Sequence, residues 1–265
     1  MKTEYAMLVL LWMTAAVSCS VKEDRRGCPA WCVVASDGYV ADNYQGRLLC
    51  SIATDIRSNY GRSREEFADF KNKGDLVFEV PRDENVYVDV FSGVGGMLFG
   101  DKVLAISPGE CCDSVYAGHS SVFVTGDEVQ TELPLNKEFA TMLLMINGLE
   151  SSFFSFRIIG NVDGYCIPGG RPHIGRFEYC APAVEGASCQ VRLPRQVDDS
   201  LLLEILGDDG HAVSSIPLGR AIAEQGYDWN AADLRDFAIG VDMRELKFTI
   251  TIEAWDGSRT ITIIL

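Results

Sequence analysis

The stretch LKFTITIEA, residues 246 to 254, alternates apolar and polar side chains without an exception. A period of two residues places one class of side chain on each face of a strand, so the stretch predicts a half-buried antiparallel β-strand. A turn at Asp256-Gly257 follows, and residues 258 to 265 predict a further strand. The C-terminal part of the sequence therefore predicts β-structure.

Strand patterns recur upstream at a spacing of about 8 to 12 residues. The segment 86–91 (VYVDVF) places three valines on one face, and the segments 201–206 and 212–216 flank a hairpin turn at Gly207-Asp-Asp-Gly210. Gly, Asp and Asn separate the segments, which is typical of β-sandwiches. The predicted fold class is all-β.

Helical patterns are scarce and short. Residues 63–73 predict one helix, with Ser63 as N-cap and Glu66 at N3 forming a capping box. Residues 218–225 predict a second helix, closed by Gly226 in the C′ position. A third helical turn is expected at 228–233, where Asp228 would act as a cap.

The chain is long enough and hydrophobic enough to bury a hydrophobic core. It has 265 residues, of which 47% are hydrophobic and 23% are charged, close to the average of globular proteins. A break near residue 135, after a run of predicted strands, divides the chain into an N-terminal β-sandwich at 28–135 and a C-terminal β-sandwich at 136–265. Each segment has the length of one sandwich domain.

The formal net charge is −15. Nucleic acids bind proteins mainly through Lys and Arg that neutralise phosphates, so this charge argues against a nucleic-acid partner. It also argues against a basic membrane-surface patch.

The N-terminus has the pattern of an export signal. Lys2 precedes an apolar stretch at 5–17, which is shorter than the roughly 20 residues that span a bilayer. The next residues, Ala16-Val17-Ser18-Cys19, resemble a bacterial lipobox. We expect a signal peptide at 1–18, cleavage between Ser18 and Cys19, and acylation of Cys19 with chains such as palmitate. The alternative is an ordinary signal peptide with an incidental cysteine.

A charged segment follows Cys19. Residues 19–27 are predicted to form a lipidated tether, and Lys22, Glu23 and Asp24 resemble the export signal of surface lipoproteins in Bacteroidetes-type bacteria. The alternative for these three residues is a solvated spacer. The prediction is a protein anchored by lipid to the outer membrane and facing the cell exterior, with no transmembrane helix.

Eight further cysteines permit 105 disulfide pairings, among which the sequence does not choose. An oxidising compartment allows disulfides, so a disulfide-containing fold is expected. Three widely separated histidines and the lack of paired C-x-x-C spacing argue against a metal site. The cysteines are Cys28, Cys32, Cys50, Cys111, Cys112, Cys166, Cys180 and Cys189.

No enzymatic motif is present. The sequence lacks G-x-S-x-G and H-E-x-x-H, and the Gly-rich segment 93–96 lacks the Lys of a phosphate loop. The Asp pairs at 198–199 and 208–209 lie in predicted turns, where carboxylates are solvated and poor general acids. We therefore predict no enzymatic activity and no cofactor other than the lipid on Cys19. Trp31, Trp229 and Trp255 are expected in the core or at a domain junction, although an aromatic glycan-binding platform stays open.

Several segments of the chain form one recognisable set. The most specific is the N-terminal CSVKEDRRGCP, residues 19–29, and later landmarks follow it: 193–195 (LPR), 199–203 (DSLLL), 217–219 (PLG), 226–228 (GYD), 251–255 (TIEAW) and, more weakly, 114–118 (SVYAG). In order and spacing, this set resembles the fimbrillin-associated anchor lipoproteins of Bacteroidales-type fimbriae.

This resemblance implies two tandem transthyretin-like Greek-key β-sandwich domains with few short helices. It also implies a role in cell adhesion, as an anchor or accessory subunit that attaches or regulates a fimbrial polymer by β-strand-mediated assembly. The implied partners are fimbrial shaft or accessory subunits and, through the lipid, the outer membrane. The alternative function is that of a surface glycan-binding lipoprotein.

Strand exchange raises two further questions that the sequence leaves open. Related shaft subunits are cut after an arginine in an early loop, and Arg57, Arg62 and Arg64 lie in an early polar stretch; we expect them to be ordinary loop arginines of an uncut anchor. The segment 260–265 is either a donor strand or an edge strand of its own sheet, and we favour the edge strand.

Overall fold

The computed structural model describes residues 27–35, 46–55, 61–148, 155–183, 188–244, 247–252 and 259–264. Within these ranges nearly all regular structure is β. The strands of the first part are β1 (Ala30–Val34), β2 (Arg47–Thr54), β3 (Gly61–Glu66), β4 (Leu76–Val80), β5 (Asn85–Ser92), β6 (Leu98–Phe99), β7 (Val103–Ala105), β8 (Tyr116–Phe123), β9 (Glu128–Thr131) and β10 (Asn136–Lys137).

The second part of the chain continues with longer strands. They are β11 (Phe139–Asn147), β12 (Ser155–Cys166), β13 (Pro172–Pro182), β14 (Ser188–Pro194), β15 (Leu202–Leu206), β16 (Ala212–Ile216), β17 (Phe237–Asp242), β18 (Lys247–Ile252) and β19 (Arg259–Ile264). Two short helices, α1 (Phe67–Lys73) and α2 (Leu218–Ala223), complete the described structure. The predicted all-β class is confirmed.

The described strands form four sheets. Sheet 1 has the strand order β4-β1-β9, sheet 2 the order β10-β8-β5-β2-β3, sheet 3 the order β16-β15-β12-β7-β6 with β13 also paired to β12, and sheet 4 the order β14-β11-β17-β18-β19. One core cluster joins the facing sides of sheets 1 and 2, and it contains the three valines of β5 that the sequence places on one face. A larger cluster joins sheets 3 and 4. The architecture is therefore that of β-sandwiches, each with an apolar core between two sheets.

Sheet 2 is covered on both faces near its centre. Leu48 belongs to the core shared with sheet 1, whereas its neighbour Leu49 belongs to the core shared with sheets 3 and 4. Seven of the eight residues of β2 are buried as a result. The two parts of the chain are thus packed on each other through the outer face of sheet 2.

Strand pairing crosses the predicted break at residue 135 in two places. The β6–β7 hairpin pairs with β12 of the second part, and β10 pairs with β8 of the first. The hairpin lies so close to β12 that a Cβ on Gly164 would stand 2.4 Å from the carbonyl oxygen of Leu104. The division at residue 135 into two domains stays a prediction.

The first predicted helix begins three residues later than its capping pattern indicates. The segment 61–66 forms β3, which pairs in register with β2, and α1 starts only at Phe67. The side chain of Glu66 at the N-cap position makes no capping hydrogen bond. The predicted capping box at Ser63 is therefore wrong, because the inter-strand ladder outweighs a weak local helix signal.

The second predicted helix and the predicted hairpin turn are confirmed. Gly226 has a φ of +77°, its N–H donates to the carbonyl of Ala223, and the N–H of Tyr227 donates to that of Ile222. These two hydrogen bonds are the Schellman pattern that a C′ glycine permits. Strands β15 and β16 pair across the turn at residues 207–210.

The eight described cysteines are free thiols, so the structure does not support the predicted disulfides. Cys32 and Cys50 are fully buried in the core between sheets 1 and 2, where they pack as small apolar side chains. Burial raises the pKa of the Cys32 thiol to about 11, and it also raises the pKa of Cys112. These thiols remain protonated at neutral pH and are poor nucleophiles for disulfide formation.

Candidate functional site

The residues predicted to carry the anchor lie outside the described ranges. Ser18, Cys19, Lys22, Glu23 and Asp24 all precede Gly27, the first residue that the structure describes. Signal cleavage, lipidation and surface export stay predictions. The structure does describe the point at which this N-terminal segment joins the fold.

The N-terminal segment leads directly into the central strand of sheet 1. Cys28 and Pro29 precede β1, which pairs with β4 antiparallel over five residues and with β9 in parallel over four. The backbone N–H of Trp31 additionally donates to the carbonyl of Asp127 at 2.9 Å. Two ladders thus hold the first described strand.

Arg82 holds the residues in front of β1. It lies in the turn between β4 and β5, and its side chain is only 10% exposed. Nε donates to the carbonyl oxygen of Cys28 at 2.8 Å, and one terminal nitrogen donates to that of Pro29 at 3.4 Å. The guanidinium also donates to the carbonyl of Gly126 at 2.7 Å and to the carboxylate of Asp127. No sequence pattern marks Arg82, because its partners are three backbone carbonyls and one carboxylate from distant segments.

The second feature is the outer strand of sheet 4. Strand β19 pairs with β18 over its full length, from Arg259 opposite Ile252 to Ile264 opposite Lys247, and the sheet ends there. The terminal segment is an edge strand of its own sheet, as we favoured. Its sequence RTITII contains no acidic residue and is rich in β-branched residues.

Such an edge is unusual, because edge strands are commonly protected by charges, by prolines or by their shortness. The other edge strands of six or more residues in the described sheets show such protection. Strand β3 carries four charged residues, β14 ends in Pro194, and β13 begins and ends in proline. Among these long edge strands, β19 has the composition best suited to pairing with a further strand.

Two of the three early arginines, Arg62 and Arg64, lie in a strand and not in a loop. Arg62 and Arg64 are part of β3, and both contact the β6–β7 hairpin. Arg62 donates to the carbonyls of Gly100 at 2.9 Å and Asp101 at 2.5 Å, while the guanidinium of Arg64 lies 4.2 Å from the ring centre of Phe99. The expectation that they are loop arginines is therefore wrong for these two positions, which pair with β2 in a ladder. Arg57 lies outside the described residues.

A buried carboxylate lies where the two parts of the chain meet. Asp89 of β5 is 1% exposed, and both of its oxygens accept a hydrogen bond from the N–H of Gly169, at 2.9 and 3.1 Å. Its register neighbours in sheet 2 are Ser51 and His119. Burial raises its pKa to about 6, and the hydrogen bond from Gly169 opposes the shift. The sequence missed this residue because a polar position in an alternating strand predicts exposure to solvent.

No catalytic or metal-binding arrangement is found in the described part of the chain. No group of three or more His, Cys, Asp or Glu side chains is placed to hold a metal ion there. His173 of β13 has a partner that the sequence did not indicate, Asp163 of β12, at 2.6 Å, but both side chains are more than a third exposed. None of the helices in the described ranges is long and apolar enough to cross a bilayer.

Within the described ranges, the exposed aromatic residues do not form a row. Trp229 is buried, in agreement with the prediction, but Trp31 is 47% exposed on the outer face of sheet 1, so the expectation of a core position is wrong for it. Phe123, 54% exposed, lies on sheet 2. Trp255 lies outside the described residues. These positions give no specific support to a glycan-binding platform.

Solved structures from Bacteroidales have a similar overall fold. The fold is similar to that of the fimbrial anchor protein Mfa2 from Porphyromonas gingivalis. The match has a TM-score of 0.62 and 13% sequence identity, and it covers 86% of this chain and 98% of the Mfa2 chain.

Two further structures are similar over the same extent. A candidate polysaccharide-binding protein from Bacteroides thetaiotaomicron has a TM-score of 0.61 and 12% identity, with 88% of this chain and 98% of that chain covered. A candidate adhesin from Bacteroides ovatus has a TM-score of 0.59 and 10% identity, with 88% and 95% covered. No family model matches the sequence, and no curated protein sequence matches it significantly. At these identities the similarity establishes the fold.

Proposed function

We propose that the chain is a cell-surface lipoprotein that serves as an anchor or accessory subunit of a fimbria. It acts by assembly and not by catalysis. The observation that carries the proposal is the structural similarity to Mfa2, which covers 86% of this chain and 98% of the Mfa2 chain. The resemblance of residues 19–29 to the N-terminus of a fimbrial anchor supports it independently. The fimbrial partners are shaft or accessory subunits.

In this proposal acyl chains on Cys19 hold the protein in the outer membrane. The nine residue steps from Cys19 to Cys28 span at most about 32 Å, so the fold would stay close to the lipid surface. Lipidation with more than one chain makes such attachment nearly permanent. Lys22, Glu23 and Asp24 would direct the protein to the outer face.

The lipid-dependent part is tested by replacing Cys19 with alanine. We expect the wild-type protein to fractionate with the outer membrane and to retain fimbrial subunits on the cell, because the acyl chains need the thiol. The Cys19→Ala variant should lose most of its membrane-bound fraction, as measured by immunoblotting of membrane and soluble fractions. Cys28→Ala is the matched control, since Cys28 is exposed, close in sequence, and not the lipobox cysteine. Equal retention of the Cys19→Ala and wild-type proteins would contradict the proposal.

Attachment of the polymer is proposed to use the free edge of β19. A strand of a fimbrial subunit would extend sheet 4 there, with main-chain hydrogen bonds supplying affinity. The backbone of β19 is engaged on one side only in the described sheet, by β18.

Two neighbouring proline substitutions test this edge. Successive N–H groups of a strand point to opposite sides, so Ile261→Pro and Thr262→Pro remove one donor that faces β18 and one that faces outward. We expect one variant to lower the thermal stability and the other to keep it while losing most of its binding to fimbrial subunits in a pull-down. If the variant that keeps its stability also binds subunits as the wild type does, assembly does not use this edge.

A further inference from the structure

Force on an anchored chain enters the fold at the anchored end and at the site that holds the polymer, and the structure describes the anchored end in detail. If the chain is held at its N-terminal segment and pulled by a bound polymer, the load arrives at Cys28 and Pro29, immediately before β1. Strand β1 contributes Ala30, Cys32 and Val34 to the core between sheets 1 and 2. Release of β1 would therefore open that core.

The weak mode of failure for β1 is peeling from its N-terminal end. Peeling breaks the ladder one residue pair at a time, beginning with Ala30 opposite Val80. A pull along the strand instead loads both ladders of β1 together, which requires several hydrogen bonds to break in one step. Fixing the residues in front of Ala30 would prevent the sequential mode.

Arg82 fixes those residues. Its guanidinium bonds the carbonyls of Cys28 and Pro29, which precede the first ladder pair, and it joins them to the β8–β9 turn through Gly126 and Asp127. The turn that carries Arg82 connects β4 of sheet 1 to β5 of sheet 2. The β8–β9 turn likewise connects sheet 2 to sheet 1. Load on the N-terminal segment is thus passed to strands of both sheets.

We propose that Arg82 is a mechanical clamp that prevents β1 from peeling when the chain is pulled through its N-terminal segment. This inference rests on the proposed anchoring function, because that function defines the direction of load. The planar fork of five N–H donors suits the task, since it bonds several acceptors at fixed angles. A lysine would keep the charge near Asp127 but could not bridge the same carbonyls.

The test is constant-force spectroscopy on the chain from residue 19 to 265, with peptide tags ligated at both ends. The rate of the first extension step is measured for the wild type, Arg82→Lys and Arg82→Ala. We expect Arg82→Ala to raise that rate about tenfold or more, as the loss of two or more hydrogen bonds would. Arg82→Lys should give an intermediate rate, and it carries the test alone if Arg82→Ala does not fold.

A second pulling geometry separates a clamp from ordinary stabilisation. With one handle placed in the exposed turn at Asp208-Asp209 and the other at the C-terminus, force does not pass through β1. If Arg82 acts as a clamp, Arg82→Ala and Arg82→Lys should show a rate of the first extension step within about twofold of the wild type in this geometry. An unchanged rate under N-terminal pulling, or an equal rise in both geometries, would overturn it. The measurement uses neither lipid nor fimbrial subunits, so its failure is distinct from a failure of the Cys19 experiment.

Discussion

Arg195→Met is expected to lower the free energy of unfolding by about 3–5 kcal/mol, the cost of leaving a buried charge without its partner. Arg195 follows β14, and its side chain is 12% exposed, while that of its partner Glu138 is 9% exposed. Nε and one terminal nitrogen donate to the two carboxylate oxygens of Glu138 at 2.6 and 3.2 Å. Glu138 itself lies directly before β11, so the pair joins the ends of two neighbouring strands.

The guanidinium of Arg195 also donates hydrogen bonds to backbone carbonyls of the segment that follows α2. It donates to the carbonyls of Ala231 at 2.7 Å and Ala232 at 3.1 Å, and to that of Trp229. A methionine of similar length can fill the space but donates no hydrogen bond, so these acceptors lose their partner as well. The large expected effect therefore has two parts, an unpaired carboxylate and unsatisfied carbonyls.

Urea unfolding at pH 7 measures this effect, with Arg176→Met as the matched control. Arg176 pairs with Glu178, but its side chain is 65% exposed, and such pairs contribute at most about 1 kcal/mol. The double variant Arg195→Met, Glu138→Leu should recover only part of the loss, because the carbonyls stay unsatisfied. A loss for Arg195→Met as small as that for Arg176→Met would show that the ion pair does not stabilise the fold.

Asp89→Asn is expected to stabilise the protein at neutral pH and to leave its stability unchanged at about pH 4. The pKa of Asp89 rises from 3.8 to about 6 on folding because the carboxylate is buried between the two parts of the chain. The folded state therefore holds a proton that the unfolded state releases. The contribution of Asp89 to stability is full below about pH 4, falls as pH rises towards 6, and stays low above it.

The expected difference follows from the size of that shift. Two pKa units correspond to about 3 kcal/mol between the protonated and ionised forms. Asparagine keeps an oxygen that can accept from the N–H of Gly169 and carries no charge at any pH, so it imitates the protonated acid. Urea unfolding of the wild type and of Asp89→Asn from pH 4 to 8 gives the difference between their free energies of unfolding. The titration of the other carboxylates is common to both proteins and largely cancels in this difference. A difference that does not change with pH would mean that Asp89 does not titrate in this range.

The sequence by itself determined the class of the fold and the places of many strands. The alternation at 246–254 and the three valines of 86–91 both mark strands of the structure, as β18 and β5. Gly226 and the turn at 207–210 were likewise predictable. These signals are local, because a period of two residues or a glycine with positive φ is imposed by the neighbouring backbone.

Tertiary structure alone decided what covers each strand and which polar groups meet. Arg82, Asp89 and Arg195 lie in the sequence like any other charged residue, yet Asp89 is buried and most of each arginine side chain is covered. Their partners come from segments 34 to 80 residues away, brought together only when the sheets pack on each other. Exposure of Trp31 has the same origin, since none of the other described sheets covers its face of sheet 1. A local pattern specifies which side of a strand is apolar, but the burial of its polar side depends on surfaces that only the folded chain assembles.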